Sequence, residues 1–251
     1  MIYDMITPNK NLTRIYYEQP IQLQQNIIIN KANQYYNYLI NVKRYQPQQQ
    51  IILFNQDANA IGIITTVSNT EISIHIQELF TQTINKIPIN IGQAICNIKQ
   101  LELITQKITE LGATTLWLLQ TEHNHHLKHL LNHNKLNRLN SISHAACMQS
   151  GNNQPLLITP HQALTTWLEQ HPVGLILDNK YSKNTSIDIN QLQLNKNINI
   201  LIGPEAGFSQ TEITNIQNNY QYQALNLGPN ILKAETATIS ICSIINYLLL
   251  N

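Results

Sequence analysis

The sequence predicts an α/β protein with two domains. From about residue 87 onward, short apolar runs typical of buried strands alternate with amphipathic segments of helical period. This order builds a mainly parallel sheet, because each strand returns to the same direction through a helix. Before that point, β-branched runs separated by turn residues dominate, and they predict a small β-barrel. We therefore predict a barrel domain over residues 1–79 and an α/β domain over residues 80–251.

The strands of the first domain are short runs rich in isoleucine. They cover residues 25–30, 50–55, 60–67 and 71–77, and polar turn residues separate them. Residues 31–45 lack this pattern and predict one short helix followed by a loop.

The second domain is predicted to hold six strands and five helices. The strands cover residues 88–96, 114–119, 155–160, 173–178, 198–204 and 222–229, and the helices cover residues 98–111, 135–151, 163–170, 209–219 and 237–250. Gly112 follows the first helix as a C-terminal cap, and Ser209 with Glu212 predicts a capping box for the fourth. The last helix is shorter than a membrane span, so we expect it to be buried, with a tail anchor as the alternative.

Composition excludes several classes of protein. The chain has 15 Lys and Arg against 14 Asp and Glu, a net charge of +1, which excludes a highly basic nucleic-acid coat protein. Any contact with RNA must therefore come from local patches. A hydrophobic content of 43% supports a packed core. Three cysteines without a CxxC pair argue against a disulfide framework, so we expect a reducing compartment, the cytoplasm. The N-terminal residues lack the basic and apolar pattern of a secretory signal, and we expect no membrane span.

Two glycine–proline turns follow strands of the second domain. The first, IGPEAGFS at 202–209, leads into the capped helix but matches neither a Walker loop nor a GxGxxG motif. The second, LGPNILKAETA at 227–237, leads into the last helix. Ligands of open α/β sheets bind at such strand ends. The turns therefore predict either one shared pocket of backbone groups or two purely structural turns.

These turns, with QKITELG at 106–112, AACMQSG at 145–151 and RIYY at 14–17, resemble the bacterial family that methylates N3 of a uridine in 16S ribosomal RNA. That family belongs to the SPOUT class of knotted methyltransferases, and the resemblance covers nearly the whole chain. It implies a PUA-like β-barrel domain that binds RNA and a C-terminal trefoil-knotted domain that binds S-adenosylmethionine. It also implies a homodimer whose substrate is ribosomal RNA in the assembled or assembling small subunit.

The resemblance assigns residues to the cofactor pocket and to the chemistry. The implied cofactor-binding residues are Leu177, Ile202, Gly203, Glu205, Gly207, Leu227, Gly228, Ile231 and Leu232. Uridine N3 must lose its proton, and a cation beside the flanking carbonyl oxygens stabilises the developing negative charge. Lys233 is the expected cation, and Glu205 or Glu235 is the expected proton acceptor. The alternative for both carboxylates is structural, with Glu205 binding backbone N–H groups and Glu235 favouring the helix N-terminus.

The sequence departs from the family pattern at several positions. Ala206 stands where the family has glycine, and it is strained if the backbone requires positive φ there. Asn230, Lys233 and Asn152 stand where arginines are usual. Lysine keeps the charge but loses the bidentate fork of arginine.

The candidate RNA-binding residues are the cations and amides at or near the positions of the family's basic residues. They are Arg14, Lys43, Arg44, Gln149 and Asn152. The cations would bind phosphate and the amides would form hydrogen bonds, and an ordinary solvated surface is the alternative.

Five histidines lie close together in the second domain, at positions 123, 125, 126, 129 and 133. On a helix three of them would share a face and could ligate zinc, but the ligand set lacks cysteine and aspartate. We therefore expect a solvated surface and no metal site.

The sequence thus predicts an S-adenosylmethionine-dependent methyltransferase acting on uridine N3 of 16S ribosomal RNA. Two alternatives stay open. One is a non-catalytic RNA-binding or ribosome-assembly protein that keeps the fold, and the other is a SPOUT methyltransferase with another RNA target.

Overall fold

The computed structural model describes residues 12–81, 87–124, 131–178, 181 and 197–250. The chain forms two compact units. The first comprises Met1–Ile84 together with Cys147–Asn153, and the second comprises Asn85–Ala146 together with Gln154–Asn251.

The first unit is built on a five-stranded sheet. Its strands are β1 (Arg14–Tyr16), β2 (Asn26–Asn30), β3 (Gln50–Phe54), β4 (Ala58–Val67) and β5 (Glu71–Thr81). The strand order is β1-β3-β4-β5-β2, with β1 parallel to β3 and the other pairs antiparallel. Over the described residues β1 and β2 are the two edges, so this sheet is open where the sequence predicted a barrel.

Alternation of side chains explains why these runs form strands. In β2, Ile27 and Ile29 are buried while Ile28 between them is 58% exposed. The β4–β5 pair changes register at two places, between Ile61 and Gly62 and between Ile64 and Thr66. Between β2 and β3, Asn33 accepts a hydrogen bond from the Tyr35 backbone N–H and begins α1 (Gln34–Asn37), which continues as one π-helical turn. The predicted short helix and loop are thereby confirmed.

The second unit contains a six-stranded, wholly parallel sheet. Its strands are β6 (Ile89–Ala94), β7 (Thr115–Gln120), β8 (Leu157–Ala163), β9 (Val173–Leu177), β10 (Ile198–Ile202) and β11 (Gln221–Ala224). The order across the sheet is β11-β9-β10-β6-β7-β8. The predicted α/β order and parallel sheet are confirmed.

Helices cover both faces of this sheet. They are α2 (Ile98–Glu110), α3 (His133–Ser150), α4 (Leu164–Gln170), α5 (Gln210–Asn219) and α6 (Ala234–Leu250). Alternate residues of β10 divide between two cores: Ile200 and Ile202 pack with α2 and α6, and Leu201 packs with α4 and α5. The capping box of Ser209 is present as predicted. Gly112, with φ +79°, follows α2 in the left-handed conformation expected of a C-terminal cap.

The C-terminal helix α6 packs one face into the core, in agreement with the predicted buried helix. Ile241, Cys242 and Ile245 are fully inaccessible and share a core with Leu101, Ile104 and other residues of α2. Among the helices that the structure describes, none has both the length and the apolarity of a membrane span.

The boundary between the units differs from the one predicted after residue 79. Strand β5 continues to Thr81, and Cys147–Asn153 at the end of α3 groups with the first unit. Met148 packs against the core of the first sheet, which explains the grouping. A prediction that divides the chain at one position assigns all of α3 to the second domain, so it cannot place the end of this helix with the first unit.

Candidate active site

The predicted pocket residues lie at the carboxyl edge of the parallel sheet. All six strands end at this edge, and β11, β9, β10 and β6 are neighbours in that order. Ile202 at the end of β10 pairs directly with Leu177 at the end of β9. The turn after β10 and the segment after β11 therefore leave the sheet from strands that flank β9.

The turn after β10 is fixed from several sides. Gly207 N–H donates to Pro204 O at 2.8 Å, which closes a β-turn. The Gly207 carbonyl accepts from His123 Nδ1 at 2.7 Å, since a carbonyl can only accept. Phe208 N–H donates to Asp178 Oδ2 at 2.9 Å. The same carboxylate oxygen lies 3.0 Å from where a Cβ on Gly203 would stand, so a side chain at this position would require Asp178 to shift by a few tenths of an ångström.

The structure resolves the question of strain at Ala206. Positive φ falls on Gly207, at +73°, and Ala206 is not among the residues with positive φ. Alanine in place of the family's glycine is therefore accommodated without backbone strain. The concern raised by the sequence was wrong, because the turn places its left-handed residue one position later.

The segment after β11 is more open. Asn226 Oδ1 accepts from Gly228 N–H at 3.0 Å, and Gly228 has φ +131° with no atom near its missing Cβ. Leu227 is half-buried against the core, whereas Ile231 is 85% exposed. Lys233 is also exposed, and Leu232 between them is half-buried. This segment therefore leaves several side chains accessible, Ile231 and Lys233 among them.

The two predicted carboxylates, of Glu205 and Glu235, accept hydrogen bonds from the same side chain. Gln100 Nε2 donates to Glu205 Oε1 at 2.8 Å and to Glu235 Oε2 at 3.0 Å. Glu205 belongs to the turn after β10, and Glu235 lies in the first turn of α6. Gln100 was not predicted as a site residue. Its one local signal is the capping box that it forms with Asn97 at the start of α2.

A buried thiol adjoins these carboxylates. Cys96 is 4% exposed, and burial together with the charges of Glu235 and Glu205 raises its pKa to about 12. The thiol is therefore neutral at physiological pH. The negative charge of this cluster belongs to the two glutamates.

The five predicted RNA-binding residues all belong to the first compact unit. Lys43, Arg44 and Gln149 are exposed, and Asn152 is partly buried. Arg14 is different, because its guanidinium donates to Asn153 Oδ1 at 2.6 Å and lies over the Phe54 ring at 4.3 Å. Burial lowers the pKa of Arg14. Its contacts join β1 to the segment after α3, so it has a structural role that the sequence did not indicate.

The histidine-rich segment falls largely outside the described residues, at positions 125, 126 and 129. His123 contacts the site through Gly207, and His133 begins α3. Within the described part of the chain, no group of three or more candidate ligands could hold a metal ion.

The chain is similar to RNA methyltransferases over most of its length. Residues 83–246 match the family model of the RNA methyltransferase domain. The ribosomal RNA small subunit methyltransferases E of two Buchnera aphidicola subspecies are similar over most of their length. The one from the Schizaphis graminum strain is 30% identical, covering 92% of this chain and 94% of the relative, and the one from the Acyrthosiphon pisum strain is 28% identical, covering 92% and 91%.

A solved structure shares the fold. The small subunit methyltransferase E of Neisseria gonorrhoeae, bound to S-adenosyl methionine, superposes with a TM-score of 0.79 at 22% identity, covering 94% of this chain and 98% of that one. The chain belongs to the RNA methyltransferase family that includes the small subunit methyltransferases E.

Proposed function

We propose that the protein transfers the methyl group of S-adenosylmethionine to N3 of a uridine in 16S ribosomal RNA. The structural observation that supports this proposal is the position of two carboxylates. Two carboxylates from separate segments, Glu205 and Glu235, meet at the carboxyl edge of the sheet, beside both glycine turns. Family membership and the names of the relatives support the reaction and the substrate.

The residues present fit the cofactor. Its sulfonium is cationic, and among the described residues neither Glu205 nor Glu235 forms an ion pair. Leu177, Leu227 and Ile231 offer apolar surface, and the two turns offer backbone groups. Bound there, S-adenosylmethionine supplies an electrophilic methyl group: the N3–C bond forms as the S–C bond breaks, leaving a neutral thioether.

The protein's own part is orientation and movement of the N3 proton. A Glu205 or Glu235 oxygen accepts this proton and releases it to solvent after transfer. Lys233 Nζ, exposed on the segment before α6, stabilises negative charge on the uridine carbonyl oxygens. Holding the reactants together accounts for most of the expected rate enhancement, since no covalent enzyme intermediate is required.

The remaining proposals concern architecture and partners. We propose that the second unit is trefoil-knotted and that the first is a PUA-like domain that binds RNA. We also propose a homodimer, which exposed apolar side chains on α2 and α6 support, namely Leu103 and Tyr247. Because the proposed substrate is ribosomal RNA in the small subunit, the expected compartment is the cytoplasm.

The test combines binding with product analysis. Calorimetric titration with S-adenosylmethionine is expected to give micromolar binding. Transfer from labelled cofactor to small subunits, free 16S RNA and unrelated RNA is then compared, with nucleoside mass spectrometry for N3-methyluridine. A Glu205→Gln, Glu235→Gln double variant is the matched control.

Each result distinguishes one alternative. Methylation of small subunits or 16S RNA at uridine N3 supports the proposal. Methylation of another RNA alone indicates a different target. Cofactor binding without transfer to any RNA favours the non-catalytic RNA-binding protein, which the missing arginines at Asn230 and Asn152 motivate.

A further inference from the structure

We propose that Gln100 is a positioning residue that holds Glu205 and Glu235 as an un-neutralised pair. The inference rests on the proposed function, since the pair is useful only if a cationic methyl donor and a proton acceptor meet there. Gln100 brings together the start of α2, the turn after β10 and the first turn of α6.

The partners of Gln100 fix the orientation of its amide. Gln100 Oε1 accepts from the Asn97 backbone N–H at 3.2 Å, and an N–H can only donate. The carboxylates on the other side can only accept while ionised. The amide oxygen must therefore face Asn97 and the nitrogen must face the glutamates, so the contacts admit one orientation of the amide. The Gln100 backbone N–H, which donates to Asn97 Oδ1 at 3.0 Å, anchors the base of the side chain.

One nitrogen with two hydrogens sets the spacing of the carboxylates. Both carboxylate oxygens bind the same nitrogen, at 2.8 Å and 3.0 Å, so they cannot lie more than about 6 Å apart. Like charges at this distance repel each other. With the bridge removed, we expect the turn after β10 and the start of α6 to separate at this point.

The neutrality of glutamine is the central point. A lysine or arginine bridge would also hold two carboxylates, but it would cancel much of their negative charge. The glutamine amide binds both and leaves that charge available to a cationic methyl donor and to the N3 proton. Among the described residues, Gln100 is the hydrogen-bond partner that the two glutamates share.

The informative substitution is Gln100→Glu. Glutamate keeps an acceptor for Asn97, because it is a normal capping-box residue, so α2 retains its start. It removes the bridging donor and adds a third carboxylate. Gln106→Glu is the matched control: it makes the same change on an exposed position of the same helix. Gln100→Met tests loss of the donor without added charge.

Transfer is measured in single turnover at saturating cofactor, so that the rate reports transfer and not binding. We expect Gln100→Glu to slow it by roughly 10-fold or more, Gln100→Met by less, and Gln106→Glu by under about 2-fold. In a Glu235→Gln background, the additional effect of Gln100→Glu is expected to shrink to about 3-fold or less, because the pair no longer exists. Equal effects in both backgrounds, or a wild-type rate in Gln100→Glu, would overturn the proposal.

A second readout does not depend on activity. The side-chain NH₂ signals of Gln100 in a ¹H–¹⁵N spectrum of the cofactor-free protein are expected to shift in Glu205→Gln and in Glu235→Gln, and to stay unchanged in Gln106→Glu. If neither glutamate substitution moves these signals, the bridge does not exist and the inference fails. If they move but the wild-type protein methylates no RNA, the bridge stands, the proposed function fails, and the catalytic role of Gln100 fails with it.

Discussion

In the turn Pro204–Gly207, we expect substitutions at the neighbouring positions 206 and 207 to have different effects on stability and on cofactor binding. Gly207 has φ +73°, a conformation that costs an L-residue about 1–2 kcal/mol. Hydrogen bonds to Pro204 and from His123 hold this residue on both sides, so the strain of Gly207→Ala cannot relax without losing one of them. Ala206→Gly meets no such requirement. It adds freedom to the unfolded chain and should cost about 0.4–1 kcal/mol of stability.

Two assays separate these effects. Urea unfolding should show Gly207→Ala destabilised by about 1–2 kcal/mol and Ala206→Gly by less than about 1 kcal/mol. If binding of the cofactor requires the left-handed turn, the same cost of about 1–2 kcal/mol opposes binding in Gly207→Ala. Calorimetry should then show that the affinity for S-adenosylmethionine is lower by about 5–30-fold in Gly207→Ala and unchanged in Ala206→Gly. Gly151→Ala is the matched control, because Gly151 also has positive φ, at +83°, but lies outside both turns. It should lose stability without losing affinity.

One result would refute this reasoning. If Ala206→Gly tightens cofactor binding and Gly207→Ala leaves it unchanged, then the left-handed position is misassigned. The departure of this chain from the family pattern would then be a real defect of the pocket.

Three further predictions concern stability and RNA. Arg14→Lys should cost about 1–3 kcal/mol of unfolding free energy, because buried Asn153 loses its guanidinium donor; unchanged stability with weaker RNA binding would instead indicate a phosphate contact. Burial raises the pKa of Cys96 and of Cys242 to about 12 in the folded protein, whereas the thiols of the unfolded chain ionise above about pH 9. The folded state therefore holds more protons between these values. The stability measured by urea unfolding should fall from pH 9 toward pH 12, by up to about 1.4 kcal/mol per pH unit for each thiol. Buried tyrosines with a raised pKa, such as Tyr35, add to this fall above about pH 10, so in Cys242→Ala the slope should be smaller by up to about 1.4 kcal/mol per unit, and an unchanged slope would contradict the burial of Cys242. Lys43 and Arg44 are the exposed cations among the predicted RNA-binding residues, so if these two alone contact phosphate, the log–log salt dependence of RNA affinity should have a slope near −1.4, about −0.7 for each phosphate. A slope steeper than about −4 would contradict a sparse basic surface.

Local signals explain why most of the fold was predictable. The capping box of Ser209 and Glu212 defines a helix start within four residues, and Gly112 marks a helix end. Strand β1 was missed because three residues are too few to show alternation. Strand β11 ends at Ala224, well before the predicted end at residue 229, because Asn226 turns the chain by binding the Gly228 N–H.

The site was predictable only where its signals are local. The glycine turns were recognisable because the special residues lie within the turns themselves. The role of Gln100 depends on partners 105 and 135 residues away in sequence, and nothing near it indicates them. Arg14 shows the converse. The sequence predicted that Arg14 binds phosphate, but the guanidinium donates to Asn153, which lies 139 residues away.

Amide side chains explain how a chain with so few charges builds a charged site. Asn124, 1% exposed, donates to Ile95 O and Leu119 O and so ties together the ends of β6 and β7. Asn226 closes the second turn, and Gln100 bridges the glutamates. An amide supplies both a hydrogen-bond donor and an acceptor without a net charge. It can therefore bind backbone N–H and C=O groups at strand ends and in turns without neutralising a nearby carboxylate. At this edge of the sheet, asparagine and glutamine therefore bind the strand ends and the turns, and the two carboxylates keep the charge that we propose acts on the methyl donor.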